Sequence, residues 1–163
     1  MLIALDTCVL VFLLEPLPAD PARARRWQDV RSAVGRWQSD GATLFIPAPV
    51  TAELIADPRQ GAVVMDLLGK RYGQLDVRPF DAPAADIAGQ VTRAVLQGPR
   101  TDSKRCLKFD AMIFATAVRW KADRLATTDE RDFGKYAPHL RPGLAIEIEK
   151  ADAQLGQLTV LGS

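Results

Sequence analysis

The chemistry of this chain rests on acids placed at the ends of apolar runs. Asp6 closes the run Leu2–Leu5, Asp110 heads a second run, and Asp129 comes just past Leu125 and Ala126. Glu53 follows the run Thr43–Ile46 and makes a fourth. An aspartate after a strand is ordinarily a turn residue or helix N-cap. A glutamate in a helix is ordinarily an exposed helix former. Several acids aimed at one sheet edge are harder to explain in this way. Their mutual repulsion costs stability unless something cationic sits between them.

The remaining residue types narrow the chemistry. The one histidine, His139, lies between Pro138 and Pro142 and reads as a surface-loop residue. The two cysteines, Cys8 and Cys106, have no zinc-ligand spacing and read as buried thiols. No glycine-rich phosphate loop is present. A general acid–base pair needs only two carboxyls, so a third and fourth would be in excess. A hard divalent cation, Mg2+ or Mn2+, fits better, because it takes carboxylate oxygens and keeps several waters. Asp6, Asp110 and Asp129 are the expected metal ligands, with Glu53 completing the catalytic carboxylates. Water on such an ion is acidified and can attack phosphorus, and two ions could hold both the attacking and leaving oxygens. Thr7 and Thr127 lie beside the acids and are placed to orient them by hydrogen bonds.

The elements that must position these acids follow from hydrophobic spacing. Leu2–Leu5 reads as a central strand and Thr7–Leu14 as a short helix. Asp20 caps a helix that has Pro21 in its first position and runs to about Ser39. Trp27, Val30, Val34 and Trp37 form its buried face. Arg23, Arg25, Arg26, Arg31 and Arg36 lie opposite, as a solvated face or a basic stripe for a polyanion or protein partner. After the Asp40-Gly41 turn come a strand, Thr43–Ile46, closed by Pro47, and a helix from Pro49 to about Ile55 that carries Glu53. A helix over 62–72, a strand over Leu75–Phe80, a helix over Ala84–Leu96 with Ile87 and Val91 inward, and a polar loop over Gly98–Ser103 follow. Asp110 then stands near the start of a mostly buried helix containing Met112, Ile113, Phe114, Ala117 and Val118. A short strand over Arg124–Thr128, a short helix over Glu130–Tyr136 and an edge strand over Leu144–Ile148 complete the series. Alternating strands and helices imply an α/β protein, a three-layer α/β/α sandwich with a parallel sheet.

Residues 100–124 hold seven basic residues against three acids. Lys104, Arg105 and Lys108 sit just ahead of Asp110 and are the candidate residues for binding a substrate's phosphate backbone. This is the best local sign of a phosphate-bearing substrate, the alternative being a solvated face. The whole chain is less directive: 163 residues, 48% hydrophobic, 25% charged, net charge +1. One domain over residues 1–150 is expected, with a tail at 151–163. The N-terminus lacks a basic leader, and no apolar stretch approaches the roughly 20 residues of a membrane span. A cytoplasmic protein is therefore expected.

Taken together, these residues resemble the PIN domains, and in particular the single-domain VapC-like ribonucleases that act as toxins of bacterial toxin–antitoxin pairs. The similarity lies in Asp6-Thr7 after the first strand, Glu53 within PVTAEL, FDAMIFATAV with Asp110, and LATTDERDF with Thr127 and Asp129. It covers nearly the whole chain in order and spacing. The resemblance implies a five-stranded parallel sheet in the order 3-2-1-4-5 and metal-dependent cleavage of single-stranded RNA. It also implies homodimers and inhibition by a cognate antitoxin whose tail enters the cleft. Two features depart from the family. Cys8 stands where asparagine or serine is common, which changes the hydrogen bonds available to Asp6, and the segment Gly98–Lys108 is longer and more basic than usual. Asp132 is a possible fifth acid. Two other readings stay open: a PIN-like module that binds RNA or protein without cleaving, and a phosphatase with Asp6 as nucleophile. The latter would want a second aspartate where this chain has Cys8.

Overall fold

The computed structural model describes residues 1–57, 61, 76–97 and 104–152, and of residues 104–107 the backbone alone. The expected helix over 62–72, the Gly98–Ser103 loop and the tail beyond 152 lie outside the described residues. The elements in chain order are β1 (Leu2–Leu5), α1 (Thr7–Leu14), α2 (Pro21–Ser39), β2 (Thr43–Pro47), α3 (Ala48–Ala56), β3 (Val77–Arg78), α4 (Ala82–Leu96), α5 (Lys104–Arg119), β4 (Arg124–Thr127), α6 (Glu130–Gly134) and β5 (Glu147–Lys150). A single 3-10 turn, Ala137–His139, separates α6 from β5.

The five strands are all parallel in the order β3-β2-β1-β4-β5, with helices on both sides of the sheet. β1 is central because its residues are apolar throughout and so suit burial on both faces. Ile3 and Ala4 have no exposed surface. In register, Ala4 lies between Phe45 of β2 and Leu125 of β4. Strands β1, β2 and β3 step outward in one direction, and the chain then crosses back to place β4 on the other side of β1. The reversal makes the carboxyl ends of β1 and β4 a switch point, the position where open α/β sheets bind ligands. Ile113 and Phe114 of α5 are buried, and the Phe114 ring stands 5.5 Å from that of buried Tyr136.

Local signals set most boundaries. Asp20 accepts from the Arg23 N–H at 2.8 Å, so α2 begins where a capping aspartate followed by proline predicts. The helix ends at Ser39, and Gly41, two residues on, has a φ of 75°, the left-handed conformation a glycine adopts without strain. Three boundaries differ from the sequence expectation. β3 has only two residues, since Pro79 has no N–H to extend the ladder. β5 begins at Glu147 because the chain is still turning at Gly143 (φ 88°), with Leu144 bonded back to Arg141 O. The helix carrying Asp110 begins at Lys104, because the Lys104–Phe109 stretch is itself rich in good helix formers.

Much of the positive charge is spoken for within the chain. Arg23 pairs with Glu15 and Arg26 with Asp152, and both guanidinium groups lie over the Phe12 ring. Arg31 donates to Leu13 O and stacks on Trp27. Three of the five α2 arginines, Arg23, Arg26 and Arg31, are thus engaged within the chain, although all three stay exposed to solvent. Arg119 pairs with Asp81, and Arg124 with Glu147 and Glu149. These residues sit at the far end of α5 and the start of β4, about 14 Å or more along the helix from Asp110 at 1.5 Å per residue. The basic cluster read from residues 100–124 is thus split between two ends of the fold.

Asp81 serves two elements at once. It caps α4 by accepting from Ala84 N–H at 3.0 Å and binds Arg119 of α5 at 2.9 Å. Replacing it with alanine is expected to cost about 1–2 kcal/mol in urea unfolding, mostly through the lost cap. Asp81→Asn keeps a capping oxygen and should lose less than half as much. Equal losses would mean that the ion pair, not the cap, secures this corner.

Candidate active site

Asp6 follows β1 directly and is buried, with 7% of its surface exposed. It is the N-cap of α1, and its Oδ1 accepts from the Thr7 N–H at 2.6 Å. A cap needs no more than that, yet Oδ2 accepts from the Thr127 hydroxyl at 2.9 Å and the Cys8 thiol at 2.8 Å. Burial nevertheless pushes the Asp6 carboxyl above its ordinary value, these three hydrogen bonds pull it back, and the charge of Glu53 pushes it up again. The thiol at position 8 therefore supplies a donor where asparagine or serine is common. Burial, with Asp6 beside it, pushes the thiol up to about 12, so it stays protonated and able to donate. Its sulfur in turn accepts from Thr128 N–H at 3.1 Å.

Thr7 and Thr127 each hydrogen-bond one of the acids. The Thr7 hydroxyl donates to Glu53 Oε2 at 2.6 Å, tying α1 to α3. Thr127, wholly buried at the end of β4, donates to Asp6 and accepts from Asp129 N–H at 3.1 Å. Asp129 itself is exposed at the rim and caps α6, accepting from Arg131 N–H at 3.1 Å. Its backbone is locked to the site through Thr127, while its carboxylate has an ordinary structural task.

Asp110 has no such task. It lies within α5, well past the first turn, so the expectation that it heads the helix is corrected and capping cannot explain it. It is half-buried, and burial is the main reason its carboxyl is pushed up to about 7. Lys135 pulls it down, while Asp132, Asp6 and Glu53 push it up, in that order of strength. Asp6, Glu53 and Asp110 therefore share one electrostatic neighbourhood, and Asp132 belongs to it. Lys135 Nζ is 3.9 Å from Asp110 Oδ2 and 3.9 Å from Asp132 Oδ1. Nothing in the sequence pattern marked Lys135; its only local signal is its position three residues after Asp132 on the same short helix.

Lys108, ahead of Asp110, does not share its face. Lys108 is exposed and, two positions back, lies roughly 160° round the helix from Asp110 at 100° per residue. It lines a groove of about 550 Å³ with Ala88, Gly89, Thr92 and Arg93 of α4 and Met112 of α5. The side chains of Lys104, Arg105 and Cys106 lie outside the described residues.

Among the described residues, no three His, Cys, Asp or Glu side chains are already gathered as a metal cage. The donor set still suits a hard divalent cation. It consists of carboxylate and hydroxyl oxygens, and magnesium binds through one or two carboxylates while keeping most of its waters. Crowded acids whose neutral forms are favoured by burial are what a divalent charge would relieve. Asp6, Asp110, Glu53 and Asp129 are the residues that could hold it. Among the described residues, no helix is long and apolar enough to cross a membrane.

Residues 3–137 match the family model of the PIN domain. No curated protein matches the chain in sequence. Solved structures match its fold. VapBC-1 from nontypeable Haemophilus influenzae superposes with a TM-score of 0.64 at 14% identity, over 94% of this chain and 100% of the other. VapBC2 from Rickettsia felis, bound to a DNA fragment from its promoter, gives 0.62 at 18% identity, over 91% and 99%. FitAcB from Neisseria gonorrhoeae gives 0.57 at 22% identity, over 91% and 97%.

The raised Asp110 carboxyl has a consequence for stability. The native state holds this proton more tightly than the unfolded chain, so Asp110 subtracts stability as pH rises from 3.8 through about 7. In metal-free buffer, Asp110→Asn is expected to raise the thermal midpoint at pH 8, with the gain shrinking towards pH 5. A gain independent of pH, or a loss at pH 8, would contradict this account of the site.

Proposed function

The chain belongs to the PIN domain family, and on that premise we propose that it is a metal-dependent endoribonuclease that cleaves single-stranded RNA, the toxin of a toxin–antitoxin pair. PIN domains are in general nucleases that use divalent metal ions. The observation that carries the proposal is Asp110: a half-buried acid well inside α5, with no capping role, sharing its field with Asp6 and Glu53. Structural duties account for Asp129 and in part for Asp6, but not for Asp110.

In this reading Asp6, Asp110 and Asp129 hold Mg2+ or Mn2+, with Glu53 as the fourth catalytic carboxylate. A bound divalent ion supplies an acidified water and offsets charge developing on the phosphate. The chain's own residues prepare the place for it. Thr7 and Thr127 fix the carboxylates of Glu53 and Asp6, and Cys8 adds the third hydrogen bond to Asp6. This preorganisation avoids reorienting dipoles during the reaction. The rim at Asp129 is exposed, so a strand could reach the site without displacing core residues. Lys104, Arg105 and Lys108 remain candidates for the strand's backbone phosphates, at some remove from the acids. The partner reading draws support from the VapBC and FitAB assemblies among the fold relatives, which are toxin–antitoxin complexes. A cognate antitoxin and a homodimer are accordingly the proposed partners.

Antitoxin-free protein incubated with a mixed single-stranded RNA pool should cleave it with Mn2+ or Mg2+ and not in chelator. Asp110→Asn should lower the rate by about a hundredfold or more, as loss of a group that acts at the reacting centre does. RNA binding with no metal-dependent turnover by the folded wild type would favour the binding-only alternative.

A further inference from the structure

Acids brought together as these are need a counter-charge when no metal is bound. The structure holds one within the chain. Lys135 is at the end of α6, and its ammonium stands 3.9 Å from a carboxylate oxygen of Asp110 and 3.9 Å from one of Asp132. Its side chain is only 20% exposed. Its Nζ lies 5.3 Å from the ring centroid of Tyr136, which is itself buried. The aromatic face favours a cation there.

Both contacts exceed hydrogen-bond distance, so neither carboxylate is tied to the ammonium by a directional bond. A lysine ammonium is a compact charge on a flexible stem and can withdraw without moving the backbone. The backbone of Lys135 is anchored separately, with its N–H bonded to Phe133 O.

Resting on the reading that this site takes a divalent cation, we infer that Lys135 is a positioning residue that stands in for that cation. It holds Asp110 and Asp132 together in the metal-free protein and must be displaced from them when the divalent ion binds. Asp132 thereby joins the site as the second anchor of the ammonium. The site's affinity for divalent ions is then set partly by competition within the chain.

The test uses the full chain at pH 8, with magnesium and manganese titrated by calorimetry and thermal midpoints measured in chelator and in saturating metal. Lys135→Met keeps most of the aliphatic stem and removes the charge, while Lys135→Arg keeps the charge. Lys135→Met is expected to bind either metal on the order of tenfold more tightly, from the loss of one unit of repulsion. It should melt several degrees lower in chelator, yet match the wild type in saturating metal. Lys135→Arg should stay close to wild type on both counts. If Lys135→Met unfolds in chelator, its refolding by magnesium alone carries the same meaning, and failure to refold overturns the proposal. A midpoint lowered equally with and without metal would reduce Lys135 to a helix-end residue and also overturn it. A wild type that binds metal while Lys135→Met binds no more tightly defeats this inference alone. No metal binding by either protein defeats it together with the nuclease reading.

Discussion

A carboxylate that is buried in a protein interior must be compensated, and Asp6 is where this fold meets that demand. It follows the central strand and is almost wholly covered, so it is cut off from the water that would solvate its charge. Three donors converge on its two oxygens, from Thr7, Cys8 and Thr127. Each is there for a separate structural reason: Thr7 and Cys8 begin α1, and Thr127 ends the neighbouring strand β4. The parallel register of β1 and β4 brings them together, and the Asp6 N–H itself bonds to Ala126 O at 3.0 Å. Alter that register by one residue and Thr127 would face the wrong side of the sheet.

From this anchor the other acids follow. Thr7, fixed by its place after Asp6, reaches across to Glu53 and so couples α3 to α1. Thr127, fixed by its bond to Asp6, also holds the backbone of Asp129. Asp110 arrives from a different direction, on a long helix whose apolar residues, Ile113, Phe114 and Ala117, are buried against the sheet. Among the described residues its carboxylate has no such set of donors, and burial pushes it up to about 7, as burial also raises Asp6. The two acids differ in their support: three hydrogen bonds hold Asp6, while Asp110 faces the ammonium of Lys135 at 3.9 Å.

The departure at Cys8 shows how a family pattern can vary without losing its physics. What the position requires is a donor to Asp6 that tolerates burial. A thiol meets it so long as it stays protonated, and burial beside a carboxylate keeps it so. Cys8 thus donates to Asp6 without the side-chain oxygen or amide that serine or asparagine would bring.

The sequence by itself determined the elements and which of them end in acids. Apolar runs and their periods, with capping aspartates at 20 and 129 and the prolines at 21 and 47, located nearly every strand and helix, because these signals act within a few residues of where they are written. It erred where a nearby residue overrode the pattern: Pro79 cut β3 short, Gly143 delayed β5, and the helix formers ahead of Asp110 drew α5 back to Lys104. What only the tertiary structure decided is who faces whom. No local rule placed Lys135 beside Asp110, put Lys108 on the opposite side of α5, or set Arg23 and Arg26 of α2 on Phe12, Glu15 and Asp152. Those outcomes depend on how helices distant in sequence are set against the sheet. Charge compensation acts through space, and the linear order of residues does not record it.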